Sequence, residues 1–317
     1  MRIAPLTETD AEDAISFIKE GTATPWAFQS WVNNRIVGAI ARDSNRLVGI
    51  LPLRPRKVLL SGRTLTAYYC TAVRVAESHR GTGLGSEMLK FAEAYFCDSS
   101  SFMCVVRSDP ESAAFNWYRK NGFVVVAEIS SHDVFRDVCL TSEESERLSI
   151  SGLDDVALAV SKSVDGVLSQ GVTRPGAVVE RRSVDAWRRD LKFHYYSQYY
   201  SSPEIFSCGQ KDGHLVGLVA FTRMRSEPRF DVLDFEYENP RLFLQLADVV
   251  SRQYSSRYGV PVRWNLGSRE ARRLGVKSSW IERWRTNLML RTHKGMESIG
   301  NESVESVDWR YRQIEFV

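Results

Sequence analysis

The feature that most limits what this chain can fold into is a run of alternating glycines at residues 80–85, Arg-Gly-Thr-Gly-Leu-Gly. The β-type run Leu65–Val75 precedes it, and Ser86–Phe96 follows with apolar residues at helical spacing. Glycine lets the backbone turn tightly and approach a ligand closely. The first N–H groups of a helix lack partners within it, and the helix dipole adds partial positive charge there. Together with the charge of Arg80, this arrangement predicts a binding site for a phosphate or pyrophosphate group.

Two common phosphate-binding patterns do not fit the glycine run. A P-loop needs a Gly-Lys-Ser/Thr triplet after its glycines, and none follows here. The dinucleotide fingerprint needs GxGxxG after the first strand, whereas this run has the spacing GxGxG after a later strand. On the run alone, a glycine-rich turn without a ligand remains the alternative.

The first 140 residues alternate between strand and helix patterns. Predicted strands cover residues 2–6, 37–41, 47–53, 65–75, 102–106 and 123–129, and predicted helices cover 11–20, 86–96 and 109–121. Polar residues at 7–10 cap the first helix, and glycine follows the end of the third. The order β-α-β-β-β-α-β-α-β predicts an α/β domain, a mixed sheet with flanking helices.

Two stretches of this half resemble a known family. Residues 73–89, VRVAESHRGTGLGSEML, resemble the acyl-CoA-binding motif of the GNAT N-acetyltransferase superfamily. Residues 113–123, AAFNWYRKNGF, are similar to that family's second signature, a helix that presents a tyrosine before a Gly-Phe turn. The two motifs occur in the family's order and separation, and the resemblance covers roughly residues 1–135.

The resemblance implies transfer of an acyl group from acetyl-CoA, or another acyl-CoA, to an amine. The backbone of Val73 and Val75 would bind the pantetheine amides like an added strand, and the glycine run would hold the pyrophosphate. Tyr118 would be the catalytic residue that protonates the leaving thiolate. The cofactor-binding residues that the resemblance implies are Val73, Val75, Arg80, Gly81, Thr82, Gly83, Leu84, Gly85 and Ser86.

The sequence departs from the family pattern at two places. Many members carry a carboxylate on the strand before the glycine run, but residues 67–73 read AYYCTAV. Proton removal would then fall to a water chain, to Tyr68 or Tyr69, or to a carboxylate from elsewhere such as Glu128. The asparagine that commonly precedes the alanines of the second signature is replaced by Glu111.

The second half of the chain reads as a degenerate copy of the first. The segment NRLVGIL at 45–51 recurs as GHLVGLV at 213–219, and strand and helix patterns follow in similar order. Where the glycine run would recur, residues 238–243 read ENPRLF, which offers no pyrophosphate cradle. We therefore predict a tandem GNAT-like chain: an acyltransferase domain at 1–140, a polar linker at 141–155, and a second domain at 156–317 without the loop.

The amino-acid composition argues against two functional classes, nucleic-acid-binding proteins and membrane-spanning proteins. A net charge of +3 gives no basic excess for nucleic-acid binding, and no apolar run is long enough to span a membrane. Five scattered cysteines favour a reducing compartment, so we expect a cytoplasmic protein with no metal site. A small-molecule amine is the expected acceptor: an amino sugar, an amino acid or an aminoglycoside-like compound. The alternative is a non-catalytic acyl-CoA-binding or interaction protein, and the oligomeric state stays open.

Overall fold

The structure is a computed structural model that describes part of the chain. The described residues are 1–20, 37–60, 63–70, 72–107, 110–134, 148–151, 177–180, 204–209, 215–225, 227–237, 240–276, 280–292, 298–299, 302–303 and 308–309. The predicted linker at 141–155 lies outside them except for one short strand at its centre. None of the helices in these ranges has the length and apolar character needed to cross a membrane.

The helices and strands follow one another along the chain as the alternating pattern indicates. The helices are α1 (Ala11–Lys19), α2 (Leu84–Phe96), α3 (Ala113–Lys120), α4 (Pro240–Tyr258) and α5 (Ser268–Leu274). The strands are β1 (Arg2–Pro5), β2 (Val37–Asp43), β3 (Arg46–Leu60), β4 (Arg63–Cys70), β5 (Arg74–Val75), β6 (Ser101–Arg107), β7 (Val124–Val134), β8 (Leu148–Ser151), β9 (Ala177–Glu180), β10 (Glu204–Gly209), β11 (Leu215–Arg223), β12 (Phe230–Tyr237), β13 (Val262–Gly267), β14 (Ile281–Thr292), β15 (Ser298–Ile299), β16 (Glu302–Ser303) and β17 (Asp308–Trp309).

The chain divides into two compact units. The first unit comprises Met1–Val126 and Asn287–Ser306, and the second comprises Ala127–Thr286 and Val307–Val317. Neither unit is a continuous stretch of sequence, whereas the sequence predicted continuous domains. The boundaries proposed at residues 140 and 156 stay predictions.

The first unit is a mixed sheet with helices on both faces. Its strand order is β1-β2-β3-β4-β6-β14, and only the β4–β6 pair is parallel. The β2–β3 hairpin turns at Ser44 and Asn45, whose positive φ angles of 46° and 72° suit a tight hairpin turn. The predicted capping residues act on the short 3₁₀ turn Glu8–Asp10 that leads into α1, where the backbone N–H of Thr7 donates to the Asp10 carboxylate at 3.0 Å.

Two apolar clusters cover the two faces of this sheet. One packs α1 against β2 and β3 through Phe17, Ile18 and Ile50. The other packs α2 and α3 against the opposite face through Met88 and Tyr118. Burial of such apolar side chains is the main favourable term in folding, so the alternation of the strands decides which residues meet which helix.

The second unit has a mixed sheet of its own with a different core. Its strand order is β7-β13-β12-β11-β10-β8, and the β12–β13 pair is parallel, like β4–β6 in the first unit. Large aromatic side chains fill the core beneath α4: Trp264, Tyr237, Tyr254 and Phe221 are fully or almost fully buried. The Trp264 indole N–H donates to the Ser251 hydroxyl at 2.9 Å, which satisfies its only donor.

Each unit is completed by a strand from the other half of the sequence. β6 pairs antiparallel with residues Asn287–Thr292 of β14, with Leu288 opposite Val106. β13 pairs antiparallel with β7, with Trp264 opposite His132. The sequence predicted that the strand after α3 would end the first domain, but most of that strand belongs to the second unit.

Candidate functional site

The glycine run forms the turn that carries the chain from β5 into α2. A short 3₁₀ turn at Glu77–His79 follows the strand, and α2 begins at Leu84 with Gly83 as its N-cap. Gly81 and Gly83 have φ angles of +78° and +90°, in the left-handed region that side chains other than glycine rarely adopt. The two glycines are therefore required by the backbone of the turn.

The turn has the space and the donors that an anionic group needs. A Cβ atom added to Gly81 or Gly83 would meet no heavy atom within 4 Å. Among the described residues, the backbone N–H groups from Gly81 to Gly85 have no hydrogen-bond partner, whereas the N–H of Ser86 donates to the Gly83 carbonyl at 2.9 Å. The residues of the run therefore fit a phosphate or pyrophosphate group at this helix start.

The strand that leads into the turn leaves its neighbour β6. The parallel β4–β6 pairing runs from Thr66 opposite Ser101 to Tyr69 opposite Cys104 and ends there. Ala72 has a φ of +44°, and this kink separates β4 from β5, where the sequence predicted one strand over 65–75. Among the described strands, β5 then pairs with β3 alone.

Some backbone groups of the segment around β5 face β3, and others face the space that opens where the chain leaves β6. The N–H of Ala76 donates to the Val48 carbonyl at 2.8 Å, so the backbone groups of Arg74 and Ala76 face β3. Because successive residues of a strand alternate in direction, the backbone groups of Val73 and Val75 face away from β3. An extended ligand can pair there by β-augmentation.

The polar side chains beside the turn hold its shape. Arg80 donates from Nε to the Val75 carbonyl at 3.3 Å, and the Thr82 hydroxyl donates to the His79 carbonyl at 2.8 Å. His79 places its Nε2 3.6 Å from an Asp43 carboxylate oxygen. Arg80 remains exposed, so its guanidinium can reach a ligand at the helix start.

Tyr118 is oriented by helix α3 and its caps. The Ser112 hydroxyl accepts from the N–H of Phe115 at 3.1 Å and begins the helix, and Gly122, at a φ of +82°, ends it. Tyr118 is 1% exposed and packs edge-on against Trp117 and Phe123, with ring centroids 4.8 Å and 5.0 Å away.

One apolar cluster brings the predicted site residues together. It contains Tyr118 and Leu84, with Val73, Val75 and Trp117 packed against it. The Tyr118 ring is fully buried within this cluster. The catalytic and cofactor-binding roles of these residues stay predictions.

Trp117 is a residue to which the sequence reasoning gave no role. A Cβ atom on Gly85 would lie 3.3 Å from the Trp117 ring, so a glycine at 85 lets the indole pack against the first turn of α2. The signal was present in the sequence, since a large aromatic next to Tyr118 has to find an apolar surface.

The candidates for removing a proton from the acceptor amine differ in their surroundings in the structure. Burial raises the pKa of Tyr68, and the nearby Cys97 and Asp98 raise it further, so its phenol stays protonated near neutral pH and is a poor base. Glu128 belongs to the second unit and pairs with Arg285 at 3.2 Å. The Tyr69 side chain is buried, with 6% of its surface exposed. A water chain is the other candidate for proton removal.

The cysteines of the first unit do not fit a nucleophilic role. Cys70 and Cys104 are buried strand residues. Burial raises the pKa of Cys97 to about 11, so its thiol is protonated at neutral pH. None of these three cysteines therefore offers an activated thiol for an acyl-enzyme route.

Comparison with protein families gives one match. Residues 7–123 match the model of the Acetyltransferase (GNAT) family. Comparison with curated protein sequences found no match.

Solved structures share the fold along most of the chain. A GCN5-related N-acetyltransferase from Anabaena variabilis is 15% identical, with a TM-score of 0.64, over 92% of this chain and 73% of that chain. Eis1 from Mycobacterium abscessus is 13% identical, with a TM-score of 0.60, over 92% and 74%. N-myristoyltransferase from Saccharomyces cerevisiae, with bound myristoyl-CoA, is 8% identical, with a TM-score of 0.56, over 92% and 82%. At these identities the likeness concerns the fold.

The family match and the geometry agree on the same region. The matched residues contain the predicted strand–turn–helix with its glycines, and the matched family is one of acyltransferases. The match to the Acetyltransferase (GNAT) family model at residues 7–123 therefore covers the region that holds the glycine run and Tyr118.

Proposed function

We propose that the protein transfers an acyl group from acetyl-CoA, or another acyl-CoA, to the amine of a small molecule by direct attack in a ternary complex. The observation that carries the proposal is the outward-facing backbone of Val73 and Val75 leading into a turn with unpartnered N–H groups. A ligand that joins an extended amide chain to a pyrophosphate matches both features at once.

Different residues of the chain would bind different parts of the acyl-CoA. The N–H groups of Gly81 to Gly85 and the Arg80 guanidinium would hold the pyrophosphate. The backbone of Val73 and Val75 would pair with the pantetheine amides. The acyl-CoA supplies the thioester as an activated acyl group.

Tyr118 would deliver the proton that the leaving thiolate needs. Its ring is fixed by Trp117 and Phe123, so a donated proton would come from a preorganised position. Water, rather than a strand carboxylate, would take the proton from the attacking amine, since residues 67–73 carry no carboxylate. We place the protein in the cytoplasm on its cysteine usage.

A screen of amine acceptors, carried out with the full chain, tests this proposal. Release of free coenzyme A from acetyl-CoA is measured with glucosamine, a set of amino acids and kanamycin, and acylated product is identified by mass. At least one amine should accelerate release at least tenfold over its absence. Acetyl-CoA binding without amine-dependent release from any of the three acceptor classes would overturn the proposal.

A binding protein without catalysis is the second candidate function. The missing strand carboxylate favours it, because a module that only senses acyl-CoA needs no general base. Titration calorimetry with acetyl-CoA distinguishes the two, since a binding module gives a heat of binding but no product.

A further inference from the structure

A cavity of the first unit lies on the opposite face of β5 from the cluster that contains Tyr118. Its volume is about 810 Å³, within the range of small-molecule sites. It is lined by α1, the β2–β3 turn, β5 and the Glu77–His79 turn. Arg74 lines it, whereas the flanking Val73 and Val75 pack into the other cluster, because side chains alternate along a strand.

Arg74 is the unusual residue of this cavity. Its guanidinium carbon lies 4.6 Å from the centre of the Phe17 ring, a cation–π distance. Its Nη1 is buried and has no hydrogen-bond partner among the described residues. A buried charged donor without an acceptor is costly, and native proteins seldom keep one without a reason. A ligand carboxylate in the cavity would give this guanidinium a bidentate acceptor.

The remaining charges of the cavity wall come in both signs. Arg42 is already paired with Asp10 and Asp13, at 3.1 Å and 2.6 Å. Across the described residues, Arg46 and Arg74 form no ion pair, and the same holds for the carboxylates of Glu20 and Glu77. The wall therefore offers two cations and two anions to a ligand.

Apolar side chains complete the cavity between these charges. Phe17 lies under the Arg74 guanidinium, and Leu47, Val48 and Ala76 also line the wall. An apolar group of a ligand can be buried there, at about 25 cal/mol for each Å² removed from water.

We propose that this cavity is a second ligand site, which takes a small zwitterionic α-amino acid with an apolar side chain. The ligand carboxylate binds Arg74 and Arg46, its ammonium group binds Glu77 and Glu20, and its side chain rests on Phe17. Because Glu77 and His79 lead directly into the glycine run, an occupied cavity stiffens the approach to the helix start. This second site does not rest on the proposed transfer reaction.

Calorimetry of the full chain without any coenzyme tests the proposal. L-leucine, L-methionine and L-phenylalanine are titrated, and then the amide and the N-acetyl derivative of the tightest binder. At least one free amino acid should bind with 1:1 stoichiometry. The amide lacks the carboxylate and the N-acetyl derivative lacks the ammonium group, so each should bind at least tenfold more weakly.

Variants locate the binding in the cavity. Arg74→Met removes the charge and keeps the chain length, and should weaken binding at least tenfold; Glu77→Gln, an exposed change, should also weaken it. Arg63→Met is the matched control, because Arg63 is exposed on β4 and does not line the cavity. Absence of binding by all three amino acids, or equal binding by wild type, Arg74→Met and Glu77→Gln, would overturn the proposal. Neither result depends on whether acetyl-CoA binds.

Discussion

The two units build the same strand-to-helix connection in different ways. In the first, β5 ends at Val75 and α2 begins at Leu84, with two left-handed glycines between them. In the second, β12 ends at Tyr237 and α4 already begins at Pro240. Proline has no N–H and suits the first position of a helix, so the second helix start has one donor fewer and no room for a glycine turn.

This difference shows that the fold does not require the glycine turn. Both units keep the parallel strand pair and the helix that crosses over it. At this connection the first unit has unpartnered N–H groups beneath open space. The second unit instead places its large aromatic residues in the core beneath α4. Each prediction below changes one unit and uses the other as its control.

The largest expected effect is on stability in the second unit. Asp133 is buried and accepts from Nε of Arg263 at 2.7 Å and from Nε of Arg283 at 2.9 Å. Asp133→Ala leaves both guanidinium groups without their carboxylate, and should lower the free energy of unfolding by about 3 kcal/mol. Denaturant unfolding measures this. Asp13→Ala, an exposed partner of Arg42, should cost at most about 1 kcal/mol; equal losses would contradict the distinction.

The second-largest expected effect is on the stability that bound acetyl-CoA adds to the first unit. Acetyl-CoA at about 100 times its dissociation constant should add roughly 2.7 kcal/mol to the unit that binds it. Gly83→Trp should abolish the resulting rise in Tm, because it fills the space above the turn. Gly275→Trp is the control: Gly275 also has a positive φ, +65°, and open space around its Cβ. A rise retained in Gly83→Trp would place the coenzyme elsewhere.

A smaller effect is expected on turnover. Tyr118→Phe removes the proposed proton donor and should lower kcat at least tenfold, about 1.4 kcal/mol, while KM for acetyl-CoA changes little. Tyr254→Phe makes the same change at a buried tyrosine of the second unit and should leave kcat unaltered. Steady-state kinetics with the best acceptor measures both, and a kcat within twofold of wild type in Tyr118→Phe would remove its role.

The smallest effect is a pH dependence confined to the second unit. Burial lowers the pKa of His132 from 6.5. The unfolded chain therefore binds a proton more readily than the folded one, and stability falls as the pH drops below about 6.5. Between pH 7.5 and 5.5, wild type should lose more stability than His132→Gln. Asn116→Gln, an exposed change without an ionisable group in the first unit, should keep the wild-type slope. Identical slopes for wild type and His132→Gln would refute the assignment.

Sequence reasoning succeeded where the signal is local. The helix that follows the glycine run and the capped turn before α1 follow from neighbouring residues, and the structure confirms these elements. It did not reveal the kink at Ala72, because alanine carries no signal for a positive φ. Nor did the sequence single out Arg74, because its cation–π contact is with Phe17, which is distant along the chain.

The sequence by itself determined the order of helices and strands in the first half and the glycine turn, since propensity, capping and glycine conformation act over a few residues. The tertiary structure decided the strand partners: β6 takes Asn287–Thr292, and β13 takes β7. The physical reason is that backbone N–H and C=O groups are the same in every strand. Which edge a strand joins therefore depends on the packing of distant side chains, such as Met289 in the cluster of the first unit and Val134 in that of the second.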